Sequence, residues 1–151
     1  MKALAILTFA LALSSQATIT APTGYRLPTE ADYTGDWQAY RAKLPRPFSA
    51  QADFNGDGLQ DEAWLLPAAS SSGWGLFAFL GSADGQRRVV LLDSNAKEPV
   101  QRMGVSLAAP GQHRTLCANS GYRNLCKPGD PAVLTLKWPA IDFFAFERVT
   151  I

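Results

Sequence analysis

The sequence predicts a protein of the α+β class that is mostly β, with one N-terminal helix followed by an antiparallel β meander or sandwich. One stretch with helical periodicity lies near the start of the chain and ends at Pro45. Short runs rich in Val, Leu and aromatic residues follow it, each bounded by turn residues. The links between these runs are short, so the strands are expected to pair antiparallel within a single domain.

The first 17 residues have the composition of a secretory signal peptide. Lys2 supplies a positive charge, and the apolar run from Ala3 to Leu13 is shorter than a membrane span. Ser15 and Ala17 place small residues at positions −3 and −1 of a cleavage site. We therefore expect cleavage after Ala17, a periplasmic or secreted location, and one β-rich domain over residues 18–151 with no membrane span.

The predicted helix runs from Asp36 to Leu44. Thr34 suits the N-cap position, and Trp37, Tyr40 and Leu44 fall on one helical face. The predicted strands that follow are Ala63–Leu66, Gly75–Leu80, Arg88–Leu92, Met103–Leu107, Val133–Trp138 and Ile141–Arg148.

Between the helix and the first of these strands, oxygen-bearing side chains recur at the spacing of a calcium loop. Asp53, Asn55 and Asp57 occupy alternate positions, and Asp61 follows four residues after Asp57. Hard oxygen ligands of this kind suit Ca²⁺, with the carbonyl of Leu59 as a further ligand. Gly58 supplies the backbone freedom for a sharp turn. The sequence thus predicts one Ca²⁺ held by Asp53, Asn55, Asp57, Leu59 and Asp61.

The alternative is a plain turn, because Asn-Gly and Asp-Gly pairs are strong hairpin signals. The three carboxylates argue against a plain turn. Like charges at 4 Å repel by about 1–4 kcal/mol for effective dielectric constants of 80 to 20, and a divalent cation converts that repulsion into attraction.

The pattern Asp-x-Asn-x-Asp-Gly-x-x-Asp resembles the short calcium loops of FG-GAP/VCBS-type repeats. It departs from an EF-hand, since the position of the bidentate Glu is taken by Trp64 and the flanking segments do not read as helices. The sequence has no internal repeat, so the resemblance covers the loop and its following strand rather than a whole propeller. The chain is also similar to small exported bacterial proteins that carry one such loop. The resemblance implies a structural calcium ion.

Cys117 and Cys126 are the two cysteines of the chain. In an exported protein an even pair indicates a disulfide. The rival reading is a redox or zinc site, but the spacing is not Cys-x-x-Cys and the chain has one histidine, His113.

Composition narrows the classes of partner. The chain has 14 basic and 13 acidic residues, and loss of Lys2 with the leader makes the counts equal. Nucleic-acid binding, which requires a basic surface, is therefore not expected. An envelope protein or a glycan is the expected partner class, and the sequence leaves the oligomeric state open.

No nucleophile elbow, phosphate loop or zinc-protease motif is present in the sequence, so we do not expect an enzyme. The acids to examine for a glycosidase-type pair are Glu30, Asp32, Glu62 and Glu147.

Among the tryptophans, Trp64 and Trp138 lie in strand patterns and are expected in the core. Trp74, flanked by glycines, is expected to be exposed.

These features predict an exported cell-envelope binding or interaction protein with one structural Ca²⁺. Two alternatives remain open at this point. One is an inhibitor or regulator of an envelope hydrolase that presents the Cys117–Cys126 loop. The other is a hydrolase of cell-wall or polysaccharide material.

Overall fold

The computed structural model describes residues 19–34, 48–118, 121 and 126–145. Within these ranges the protein is mostly antiparallel β-sheet, which confirms that part of the predicted fold class. The same ranges contain no α-helix, and their helical segments are short 3-10 turns at Glu30–Asp32, Val100–Arg102 and Leu116–Ala118. The predicted helix over residues 36–44 and the predicted signal peptide lie outside the described residues.

Four strands form one antiparallel sheet in the order of the sequence. They are β1 (Ser49–Ala52), β2 (Asp61–Pro67), β3 (Trp74–Gly81) and β4 (Arg87–Asn95). The register between β3 and β4 shifts at Leu76/Phe77, which marks a bulge in β4. This arrangement is the predicted meander, and β2 to β4 correspond to its first three predicted strands.

The remaining strands form two antiparallel pairs, one nested inside the other in sequence. β5 (Met103–Ala108) pairs with β8 (Ala140–Ala145). Between them in the chain, β6 (Gly111–Arg114) pairs with β7 (Val133–Leu136). The connection from β6 to β7 contains the Cys117–Cys126 disulfide, so the prediction that these cysteines are bonded is confirmed.

One face of the four-stranded sheet forms the main core with β5. Ala63 and Leu65 of β2 are fully buried there and cluster with Val105 of β5, which is 1% exposed. Trp74 belongs to the same cluster and meets Phe143 of β8 edge-on, with ring centroids 5.1 Å apart. Burial of such side chains contributes about 1.5–3 kcal/mol each, so this layer is a principal source of stability.

The opposite face is covered by the N-terminal arm, residues 19–25. Ile19 is buried in a cluster with Leu66, Phe77 and Phe79. Tyr25 packs edge-on against Phe77, with ring centroids 4.8 Å apart. Because both faces are covered, β2 is apolar at consecutive positions instead of alternating apolar and polar.

Two expectations about tryptophans were wrong. Trp74 is 4% exposed, because β3 begins at this residue and its side chain enters the main core. Trp138 is 41% exposed, because β7 ends at Leu136 and leaves Trp138 in the connection to β8. Trp64, expected in the core, is partly buried against the cluster beneath the arm.

Candidate metal centre

The predicted metal ligands lie in the connection between β1 and β2. These strands pair antiparallel, with Ala52 opposite Asp61, so residues 53–60 form a closed loop at the sheet end. Gly56 and Gly58 adopt φ angles of +77° and +83°, in the left-handed region that other residues disfavour. The loop therefore curls tightly because glycines stand at its two left-handed positions.

Asp53 organises the loop through its carboxylate. Its Oδ1 accepts hydrogen bonds from the N–H groups of Gly56 at 2.6 Å and Asp57 at 3.2 Å, and its Oδ2 accepts one from Gly58 at 2.8 Å. Partial burial acts to raise the pKa of Asp53, but these backbone donors outweigh it and hold the pKa below its usual value. The carboxylate is thus stabilised in its charged form at the first position of the loop.

Asn55 and Asp57 are exposed and linked to each other. The Asn55 Nδ2 group donates to Asp57 Oδ2 at 2.8 Å, and Asn55 Oδ1 accepts from the Asp57 N–H at 3.0 Å. Asp57 Oδ1 accepts from the Leu59 N–H at 2.8 Å. Each carboxylate offers about four acceptor positions, so Asp57 keeps capacity for further ligands on the solvent side.

Asp61 is completely buried and accepts two backbone hydrogen bonds. Its Oδ2 accepts from the Phe54 N–H and its Oδ1 from the Gly81 N–H, both at 2.9 Å. Asp61 therefore ties the beginning of the loop to the end of β3. The sequence pattern identified the residue, but no local signal indicated Gly81 as its partner, because that contact depends on the β2–β3 pairing.

In the described structure, the carboxylate oxygens of Asp53, Asp57 and Asp61 do not form a group within 4.8 Å of one another. Among the described residues, the side chains whose potential ligand atoms all lie within 4.8 Å of one another are Cys117, Cys126 and Asp130. The two sulfurs are joined in a disulfide and offer no thiolate, so this group is not a metal site. In the loop, oxygens of Asp53, Asn55, Asp57 and Asp61 instead accept the hydrogen bonds of backbone amides.

Trp138 packs on the loop from the connection between β7 and β8. A Cβ built on Gly56 would overlap the Cζ2 and Nε1 atoms of the indole, at 2.5 and 2.6 Å. The Lys137 ammonium lies 4.7 Å from the centroid of the Trp138 ring, a cation–π distance. The loop is therefore in contact with a partly exposed aromatic residue, a feature that sequence reasoning missed.

Two acids considered for a catalytic pair are each bound to an arginine. Arg26 binds Asp32 bidentately, with both N···O distances 2.7 Å. Glu62 accepts hydrogen bonds from Arg87 and from the Trp64 indole, the latter at 2.8 Å. Burial acts to raise the pKa of Glu62, but these hydrogen bonds outweigh it and lower the pKa. Both arrangements are ion pairs that connect separate segments of the chain.

The other acid considered, Glu30, begins the 3-10 turn Glu30–Asp32. Glu147 lies outside the described residues, and so do residues 119–120 and 122–125 of the disulfide loop. His113 on β6 contacts the Ala109 carbonyl oxygen through Nε2 at 2.6 Å. This contact is local to the turn between β5 and β6.

Comparison with protein-family models, curated proteins and solved structures gave no match for the chain. In the part of the chain that the structure describes, no helix has the length and hydropathy that a membrane crossing requires.

Proposed function

We propose that this protein is an exported binding or interaction module of the cell envelope whose loop at residues 53–61 holds one structural Ca²⁺. The observation that carries the proposal is the loop itself. A tight curl with left-handed glycines at positions 56 and 58 carries the oxygen-bearing side chains of Asp53, Asn55 and Asp57 at one end of the sheet, where they now accept backbone N–H groups. Calcium takes oxygen ligands of these types, at about 2.3–2.6 Å.

The donor set fits a hard cation by its chemistry. Carboxylates at 53, 57 and 61, the amide oxygen of Asn55 and the Leu59 carbonyl supply oxygen atoms only. The Asn55 amide group donates a hydrogen bond to Asp57 Oδ2. A cation bound at this carboxylate would compensate the same negative charge. Asp61 would bind with lone pairs that its two backbone hydrogen bonds leave available.

A structural role is favoured over a signalling role. The loop joins β1 to β2 and is anchored to β3 through Asp61, so an ion bound there would fix the end of the sheet. Calcium sites in extracellular modules bind with Kd values of about 10⁻⁴–10⁻³ M, which suits compartments rich in calcium. The Cys117–Cys126 disulfide supports the same location, because such bonds persist in oxidising compartments.

The test is thermal unfolding with calcium and with chelator. A ligand that binds only the folded state at tenfold excess over its Kd adds about 1.4 kcal/mol to the free energy of unfolding. We expect CaCl₂ to raise the Tm and EDTA to lower it, with a smaller effect of MgCl₂. Equal Tm values with and without chelator would remove the basis of the proposal.

Asp57→Asn is the informative variant, because the amide oxygen can still accept the Leu59 N–H while the charge is lost. The matched control is Asp84→Asn in the β3–β4 turn, where the side chain likewise accepts a local N–H, from Gln86 at 3.0 Å. Asp57→Asn should abolish the calcium-dependent shift and Asp84→Asn should keep it. Affinity capture from envelope extract, with calcium and with EDTA, then tests the interaction role.

A further inference from the structure

β4 is the most exposed strand of the four-stranded sheet. Apolar side chains at three of its central positions are about half exposed: Val89 at 46%, Leu91 at 52% and Leu92 at 47%. By contrast, the central positions of β2 and β3 are buried. Adjacent exposed apolar side chains on one strand form a surface on which another protein chain can pack.

The backbone of β4 is also available for pairing. In residues 19–34, 48–118, 121 and 126–145, β4 pairs with β3 on one side and with no strand on the other. Edge strands are usually protected by Pro, by charged side chains, by β-bulges or by short length. The bulge of β4 lies at Leu92, at the end of its apolar centre. β4 is nine residues long, and its centre, Val89-Val90-Leu91-Leu92, contains neither Pro nor charge. This edge is therefore suited to extending the sheet.

We propose that β4 pairs antiparallel with β4 of a second copy of this chain, so that two four-stranded sheets join across a two-fold axis. The charges of the strand select this partner and this direction. Arg88 precedes the apolar centre and Asp93 follows it. In an antiparallel self-pairing centred near Val90, Arg88 of each copy lies toward Asp93 of the other. A parallel pairing would bring like charges together.

Arg87 is not needed for this contact because it already binds Glu62 within its own sheet. The register also places Val89 opposite Phe79 and Leu91 opposite Phe77, on the face covered by the N-terminal arm. Pairing of two copies would therefore extend an existing apolar face across the axis. The proposal depends on β4 alone and is independent of the calcium loop.

Sedimentation velocity over a wide concentration range tests the proposal on the purified exported protein. We expect a reversible dimer. Leu91→Lys should give a monomer, because the charge lies in the paired centre. The matched control is Leu134→Lys on β7, a leucine 46% exposed outside this edge, which should still dimerise. Circular dichroism and the Tm establish that both variants are folded.

A charge exchange provides a second test that does not rely on loss of association. Arg88→Asp and Asp93→Arg should each weaken dimerisation by about tenfold, and the double variant should restore it. A wild-type monomer at all concentrations would overturn the proposal, as would a Leu91→Lys dimer or a double variant no stronger than the singles.

Discussion

The indole of Trp138 occupies the space where a Cβ on Gly56 would lie, so a partly exposed aromatic residue packs on the loop between β1 and β2. The contact joins two parts of the chain that are far apart in sequence. It requires glycine at position 56 for two separate reasons, the φ angle of +77° and the absence of a Cβ. These two requirements can be separated by experiment.

Gly56→Ala is expected to destabilise the protein more than Gly58→Ala. Both positions have positive φ, which costs an alanine about 1–2 kcal/mol. A Cβ at position 58 meets no atom within 4 Å, whereas one at position 56 overlaps Trp138. Overpacking of this kind adds about 1–3 kcal/mol. Urea unfolding of the two variants measures the difference, and equal losses would show that Trp138 does not press on the loop.

Trp138 should report calcium binding by fluorescence. Its ring contacts the loop and is partly exposed, so a change in loop conformation alters its surroundings. We expect CaCl₂ to change the tryptophan emission of the wild type and to leave that of Trp138→Phe unchanged. Trp74→Phe, which removes an indole from the main core, is the control and should retain the response. A response that survives in Trp138→Phe would place the reporting indole elsewhere.

The Arg26–Asp32 pair should make stability depend on pH in the acid range. Side-chain hydrogen bonds from Arg26 lower the pKa of the buried Asp32 carboxyl from 3.8 to about 2. The unfolded chain therefore takes up this proton first as the pH falls. The contribution is complete above about pH 4 and is lost as the pH falls toward 2.

Because Arg26 is partly exposed, we expect this contribution to be about 1–2 kcal/mol. Urea unfolding at pH 6 and near pH 2 measures it. Arg26→Gln should reduce the difference between the two pH values, whereas Arg114→Gln on β6 should leave it unchanged. An identical pH dependence in wild type and Arg26→Gln would contradict the assignment.

The Glu62–Arg87 pair should contribute more to stability than an exposed pair. Arg87→Met leaves the carboxylate of Glu62, a residue that is 6% exposed, with one fewer donor. Leaving a buried charged group under-satisfied costs about 1–3 kcal/mol. Arg102→Met is the control, since Arg102 is half exposed and lies 3.9 Å from Glu98; its loss should cost less than about 1 kcal/mol. Similar losses in the two variants would show that burial of Glu62 has little effect.

Sequence patterns identified the strands whose residues have strong β propensity. β2 to β5, β7 and β8 contain Val, Leu, Ile or aromatic residues within turn boundaries, and their positions were predicted within a few residues. β1 (Ser-Ala-Gln-Ala) and β6 (Gly-Gln-His-Arg) were missed, because their residues have little intrinsic β preference. These two strands depend on pairing with β2 and β7.

In the candidate site, too, contacts between distant parts of the chain were not predicted from the sequence. Spacing alone identified the residues of the loop and the glycine that permits its turn. It did not show that Asp61 would be buried against Gly81, or that Trp138 would cover Gly56, because both contacts join elements distant in sequence. The errors over Trp74 and Trp138 have the same origin, since their flanking residues do not determine which face of a sheet meets another layer.

The position of Ile19 has a consequence for how the chain matures during synthesis. The N-terminal arm emerges from the ribosome before the strands it covers, and Ile19 gains its neighbours Phe77 and Phe79 only when β3 has been made. The arm therefore cannot bury Ile19 before the meander has assembled, wherever the chain folds. Until then, the apolar start of the arm is open to chaperones or proteases that recognise extended apolar segments.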